Sequence, residues 1–133
     1  LERPIKYKKR FNQGIVFDRL QDGLISPTDI DFCFEVNNEF LLIGDCKVEG
    51  APFPIGQKLV LERIVDSWQK LNRKSIAMIC THKVTPPDPI VLADTIIEKV
   101  YFNGQWQDKN IIFYDGLKKL AHSWDIAKLK YLE

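Results

Sequence analysis

A chain of 133 residues, 45% hydrophobic and 28% charged, is long enough to bury a core and too apolar for a disordered tract. Its formal net charge of +1 is nearly neutral, so any affinity for a polyanion must come from where the charges sit. No apolar run approaches the roughly 20 residues of a membrane span. No membrane partner is expected, and the opening LERPIKYKKR lacks the apolar stretch of a secretory signal.

The spacing of Phe11, Ile15, Phe17, Leu20 and Leu24 predicts a helix that ends near Gly23. Ser26-Pro27-Thr28 breaks the chain. Ile30 to Val36 reads as a strand, Asn37 to Glu39 as a turn, and Phe40 to Val48 as a second strand. A loop carrying Gly50, Pro52, Pro54 and Gly56 follows. Gln57 to Leu71 has the clearest helical stripe, with Leu61, Ile64, Val65, Trp68 and Leu71 facing a core. Ser75 to Thr81 is nearly all apolar, as expected of a strand covered on both faces. Asp94 to Phe102 alternates like a strand, and Asn103-Gly104 signals a hairpin into Gln105-Trp106. Asp115 to Leu129 reads as a helix with Leu117, Leu120, Trp124 and Ala127 inward, and Leu132-Glu133 is assigned no structural role.

This order predicts an α/β fold: a mixed central β-sheet flanked by helices, the helix after the second strand making its two flanking strands parallel neighbours. Cys33, Cys46 and Cys80 are odd in number and form no CxxC pair. They read as small buried residues of a reducing, cytoplasmic compartment rather than a zinc or disulfide framework.

Chemistry concentrates in Pro27-Thr28-Asp29-Ile30-Asp31 and, across the turn, Gly44-Asp45-Cys46-Lys47. Alternation on a strand puts Asp45 and Lys47 on one face and Cys46 on the other. A two-residue turn at Asn37-Asn38 would set Asp31 opposite Gly44 and scatter the group. A three-residue loop pairs Val36 with Phe40, Asp31 with Asp45 and Asp29 with Lys47. A five-residue loop or a bulge can preserve the same register. That register also gathers Ile30, Phe32, Phe34, Val36, Leu42 and Cys46 on one apolar face, so an odd-length loop or a bulge is expected.

Adjacent carboxylates repel unless a cation joins them. Hard oxygen ligands suit Mg²⁺, or Mn²⁺ in its place, either of which keeps waters and accepts phosphate oxygens. Such an ion polarises a phosphodiester and lowers the pKa of a bound water, while Lys47 can stabilise the developing charge. The ordinary alternative is an ion-pair cluster at a sheet edge.

Asp31 followed by Asp45-x-Lys47 at the end of an apolar strand resembles the PD-(D/E)XK nuclease superfamily. The flanking helix, hairpin, helix and strand are similar to its core over about residues 11–81, with added strands and a helix over 90–131, the whole of 1–133 forming one domain. PTDID followed by GDCKVEGAPFPIGQKLVLER resembles uncharacterised phage- and prophage-type members. The resemblance implies a restriction-endonuclease-like core and DNA as partner. It also implies metal-binding Asp31 and Asp45, a catalytic Lys47, and magnesium-dependent hydrolysis of phosphodiester bonds.

Asp29 competes with Asp31 for the first motif position. Some members carry a glutamine on the following helix, a role open to Gln57 beside simple capping, or a third carboxylate on the first helix, a role open to Asp18 beside a solvated face. Lys6, Lys8, Lys9 and Arg10 form a basic run suited to phosphates or merely to solvent. His82 and His122 are isolated, and the three tryptophans fit core positions better than base-stacking ones. Cutting both strands of a duplex favours a homodimer. The other expectation is a catalytically inactive nucleic-acid-binding module of a phage replication, recombination or packaging assembly.

Overall fold

The strand that carries the candidate carboxylate, the run FLLIGDCKV, lies second in the sheet. In the computed structural model, which describes residues 18–20 and 28–132, it forms β2 (Phe40–Val48). Its first six residues are all buried. β1 (Phe32–Val36) lies antiparallel to it, with Val36 paired to Phe40 and Phe32 to Gly44. The loop between them is the three-residue Asn37 to Glu39. Asn37 and Asn38 adopt φ 52° and 60°, a left-handed conformation that Asn tolerates better than most residues. The Asn38 N–H donates to the Glu35 carboxylate at 2.7 Å and the Glu39 N–H to Val36 O at 2.9 Å, closing the turn.

Helix α1 (Ile55–Gln69) starts directly after Pro54 and carries the chain to β3 (Lys74–His82), which runs parallel to β2. Gly44 is required by this packing: a Cβ there would lie 2.3 Å from the tip of the Phe32 ring and 2.4 Å from Met78 O. The chain continues through a short 3-10 turn (Leu92–Asp94) to β4 (Ile96–Phe102) and β5 (Gln105–Ile112), completing the sheet order β1-β2-β3-β4-β5. Asn103 and Gly104, at φ 52° and 75°, make the two-residue hairpin between these last strands. Helix α2 (Phe113–Ser123) then packs back on the sheet.

Each sheet face has its own core. Leu41, Ile43, Ala77 and Tyr101 meet Leu61 and Val65 of α1 on one face. Phe40, Leu42, Ile76, Met78, Ile97 and Val100 meet Phe113, Leu117 and Ala121 of α2 on the other. The fold is therefore α/β, a five-stranded mixed sheet with a helix on each face. Among the described residues no helix is long and apolar enough to cross a membrane.

Several expectations require correction. Ile30 packs with the α1-side core rather than with Phe32 and Phe34, because ladder alternation stops at Phe32. Leu71 is 62% exposed: α1 ends at Gln69, and Asn72 at φ 58° turns the chain away. Asp125, at φ 55°, ends the terminal helix early, so Ala127 is exposed and Phe113 and Ala121 take the inner positions. Leu132 is buried against the α2-side core despite its place at the end of the chain. Cys33 is exposed rather than buried. The expected helix from Phe11 to Leu24 lies outside the described residues except at 18–20, where the chain makes a turn with Arg19 at φ 66°.

Candidate active site

The second half of β2 leaves the core as its polar residues begin. Asp45 is 1% exposed, Cys46 and Lys47 are half-buried, and Val48 is exposed. Asp31 lies one step beyond the last ladder pair, across from Asp45 as the odd-length loop requires. Its N–H is shared between Gly44 O and Asp45 Oδ1, both at 3.1 Å, and its Oδ2 accepts the Cys46 N–H at 2.8 Å. Two carboxylates are thus locked to adjacent backbones, and the contact of Phe32 on Gly44 holds the strands at this spacing.

Asp45 Oδ2 is buried and has no hydrogen-bond partner among the described residues. An ionised oxygen in that state is costly, and a buried polar atom left without a partner calls for an explanation. Burial pushes the Asp45 carboxyl above its usual range; the charges of Asp31 and Asp29 add to this, while the Asp31 N–H and Lys47 oppose it.

Lys47 shares the Asp45 face of the strand, and its Nζ donates to Gln57 Oε1 at 2.9 Å. The same ammonium lies 5.6 Å from the centre of the Phe53 ring. Gln57 sits in the first turn of α1, which the loop from Gly50 to Pro54 brings back over the carboxyl end of β2. The structure therefore brings together Asp31, Asp45, Lys47 and Gln57. Asp29 is exposed and does not make the cross-strand pair expected with Lys47, since the alternation that would align them ends before it. Asp18 is exposed in the turn at 18–20, and Lys6, Lys8, Lys9 and Arg10 lie outside the described residues.

Among the described residues no group of three or more His, Cys, Asp or Glu side chains converges in the manner of a closed metal cage. Two carboxylates, one with an orphaned oxygen, fit an ion that retains waters and takes substrate oxygens as its other ligands. That donor set suits magnesium or manganese and fits zinc poorly, zinc favouring nitrogen and sulfur.

Two features escaped sequence reasoning. Phe53 under Lys47 had no signal beyond its place in a Pro-rich loop. Cys46 and Cys80 are direct partners across the parallel strands, in a register that sets Phe40 against Lys74 and that aligning the starts of the two apolar runs would have missed. The hydrogen bond between these thiols and burial both push Cys80 upward, and no disulfide joins them. His82 is half-buried, its Nδ1 accepting the Val84 N–H at 3.1 Å. Trp106 packs on Tyr101 and donates to Glu62, while Trp124 stacks edge-on against Phe40 and Phe102, so both serve packing.

Comparison of the chain with protein-family models, with curated proteins and with solved structures returns no match.

Proposed function

We propose that this chain is a magnesium-dependent deoxyribonuclease with the restriction-endonuclease-like core of PD-(D/E)XK enzymes, manganese serving as a substitute ion. The observation that carries the reading is the buried, unpartnered Oδ2 of Asp45, with Asp31 across from it and Lys47 on the same strand face. Magnesium, when bound, would polarise the phosphodiester and lower the pKa of the attacking water.

The chain's own residues supply the rest. Asp45 and Asp31 hold the ion, with the Cys46 and Asp31 N–H groups keeping both carboxylates aimed. Gln57 Oε1 anchors the ammonium of Lys47, so that its charge is available to the phosphate as negative charge builds there. Phe53 excludes water from one side of that ammonium. Asp29 deepens the negative potential that attracts the ion. Lys6, Lys8, Lys9 and Arg10 would grip flanking phosphates and make binding salt-sensitive.

One observation favours a second reading. Asp31 Oδ2 and Asp45 Oδ1 already tie β1 to β2, as they would in a non-catalytic nucleic-acid-binding module. The deciding experiment incubates wild type and the Lys47→Ala variant with linear, circular, nicked, branched and single-stranded DNA under magnesium and under manganese. Metal-dependent cleavage by wild type is expected, reduced about 100-fold or more in Lys47→Ala with metal affinity retained. Metal binding without cleavage by the folded wild type would leave the binding module. Failure to bind either metal would end the nuclease reading, and failure to retain any of these DNAs as well would end the second.

A further inference from the structure

Beyond the carboxyl ends of β2 and β3 lies a recess of about 590 Å³, within the roughly 300–1,000 Å³ range of small-molecule sites. Strand register ties it to the carboxylates. Lys47 pairs with Thr81 and Val48 with His82, and Thr81 and His82 both line the recess. Pro89, Ile90 and Val91 contribute an aliphatic wall, with Ile90 and Val91 47% and 48% exposed.

The charges around the recess nearly cancel. Glu49 is ion-paired with Lys83 at 3.2 Å, and Asp94, Glu98 and Lys109 also line the recess. A lining that is close to neutral, or slightly acidic, is a poor phosphate site and a good one for an uncharged heterocycle. His82 adds a polar ring whose Nδ1 accepts the Val84 N–H, which leaves Nε2 as the nitrogen able to donate. Asn110 adds an amide able both to donate and to accept. Apolar walls with a few convergent polar groups are what hold a base once it has left the stack.

We propose that this recess receives the base of a nucleotide adjoining the phosphodiester cut at the Asp31–Asp45 site. The substrate is then a strand with an unpaired base at the cut, a single strand, frayed end or branch, rather than continuous duplex. The inference rests on the nuclease reading and gives that reading its substrate form.

Two measurements test it. Ile90→Asp alters an exposed side chain, so the fold should survive, which circular dichroism checks. In steady-state cleavage of a single-stranded oligonucleotide with magnesium, this variant should raise KM about tenfold or more while kcat changes little. The second measurement uses the Lys47→Ala protein with single-stranded oligonucleotides carrying 2-aminopurine at successive positions. At one position the fluorescence should rise several-fold on binding as the base unstacks, and the rise should vanish in Lys47→Ala/Ile90→Asp. Wild type that cuts matched duplex as well as single strand, or an unchanged KM in Ile90→Asp, overturns the base site and leaves the nuclease reading intact. A position-specific fluorescence rise lost with Ile90→Asp, in a protein that cleaves nothing, refutes the nuclease reading and keeps the base site. Neither cleavage nor a fluorescence response refutes both.

Discussion

Asp45→Asn is the substitution that separates a charge held for a cation from a charge held for the fold. Asparagine has nearly the same volume, and its Oδ1 can still accept the Asp31 N–H now found at 3.1 Å. What disappears is a negative charge on a side chain that is 1% exposed and has one oxygen unpartnered. Leaving such a group unsatisfied costs about 1–3 kcal/mol, more when it is charged; the amide Nδ2 that replaces Oδ2 still lacks a partner, so only the share due to the charge is recovered. Losing the attraction of Lys47 and weakening the Asp31 bond return part of this. The metal-free Asn variant should therefore be more stable than wild type by about 1 kcal/mol at neutral pH.

The pH dependence follows from the raised Asp45 carboxyl. Between its folded and unfolded pKa values the native state binds more protons than the unfolded one, so stability falls as pH rises through that window. The penalty is fully present above the folded pKa and is lost as pH falls below the ordinary Asp value of about 3.9. The advantage of Asp45→Asn should thus shrink on acidification. Magnesium at ten times its Kd should add about 1.4 kcal/mol to wild type and nothing to the variant, reversing their order. Urea denaturation of both proteins at neutral and acid pH, in EDTA and in magnesium, measures all of this. An Asn variant less stable than wild type in EDTA at neutral pH, together with a wild type unmoved by magnesium, would refute the reasoning.

Three further outcomes are expected. Gly44→Ala sets a methyl 2.4 Å from a backbone oxygen; overpacking costs about 1–3 kcal/mol, and a backbone neighbour that cannot rotate away puts this site near the upper end. A urea midpoint within error of wild type would contradict it. Gln57→Leu removes the 2.9 Å anchor of Lys47 and should lower kcat about tenfold or more with a smaller change in KM, measured by steady-state cleavage. Ser75→Ala deletes the buried bond from Ser75 Oγ to Val65 O at 2.8 Å and should cost about 1 kcal/mol in urea denaturation.

The hairpin was legible from parity alone. Val36 and Phe40 had to pair if the apolar residues of both strands were to share a face, and they do. Asp45 and Lys47 followed from alternation, and Asp31 from the loop length. Asn103-Gly104 was equally plain, because two consecutive left-handed residues suit few other pairs. What could not be read depends on contacts distant in the chain. Ile30 changes sides once ladder bonds no longer hold the strand's pleat, and Leu71 and Ala127 sit past helix ends set by single left-handed residues. The grip of Gln57 on Lys47 depends on the path of the loop from Gly50 to Pro54, which periodicity does not encode. The recess beside β3 is built from residues of three strands and of the segments after β2 and β3, with no common spacing, so no pattern announced it.

Cys33 has a practical consequence. It is the exposed member of three cysteines, and the other two are engaged with each other. Residues two apart on a strand stand about 7 Å apart, so Cys33 lies within that distance of Asp31. A thiol-reactive dye would therefore label the native protein beside the carboxylates without any engineered residue, turning metal or nucleic-acid arrival into an optical signal.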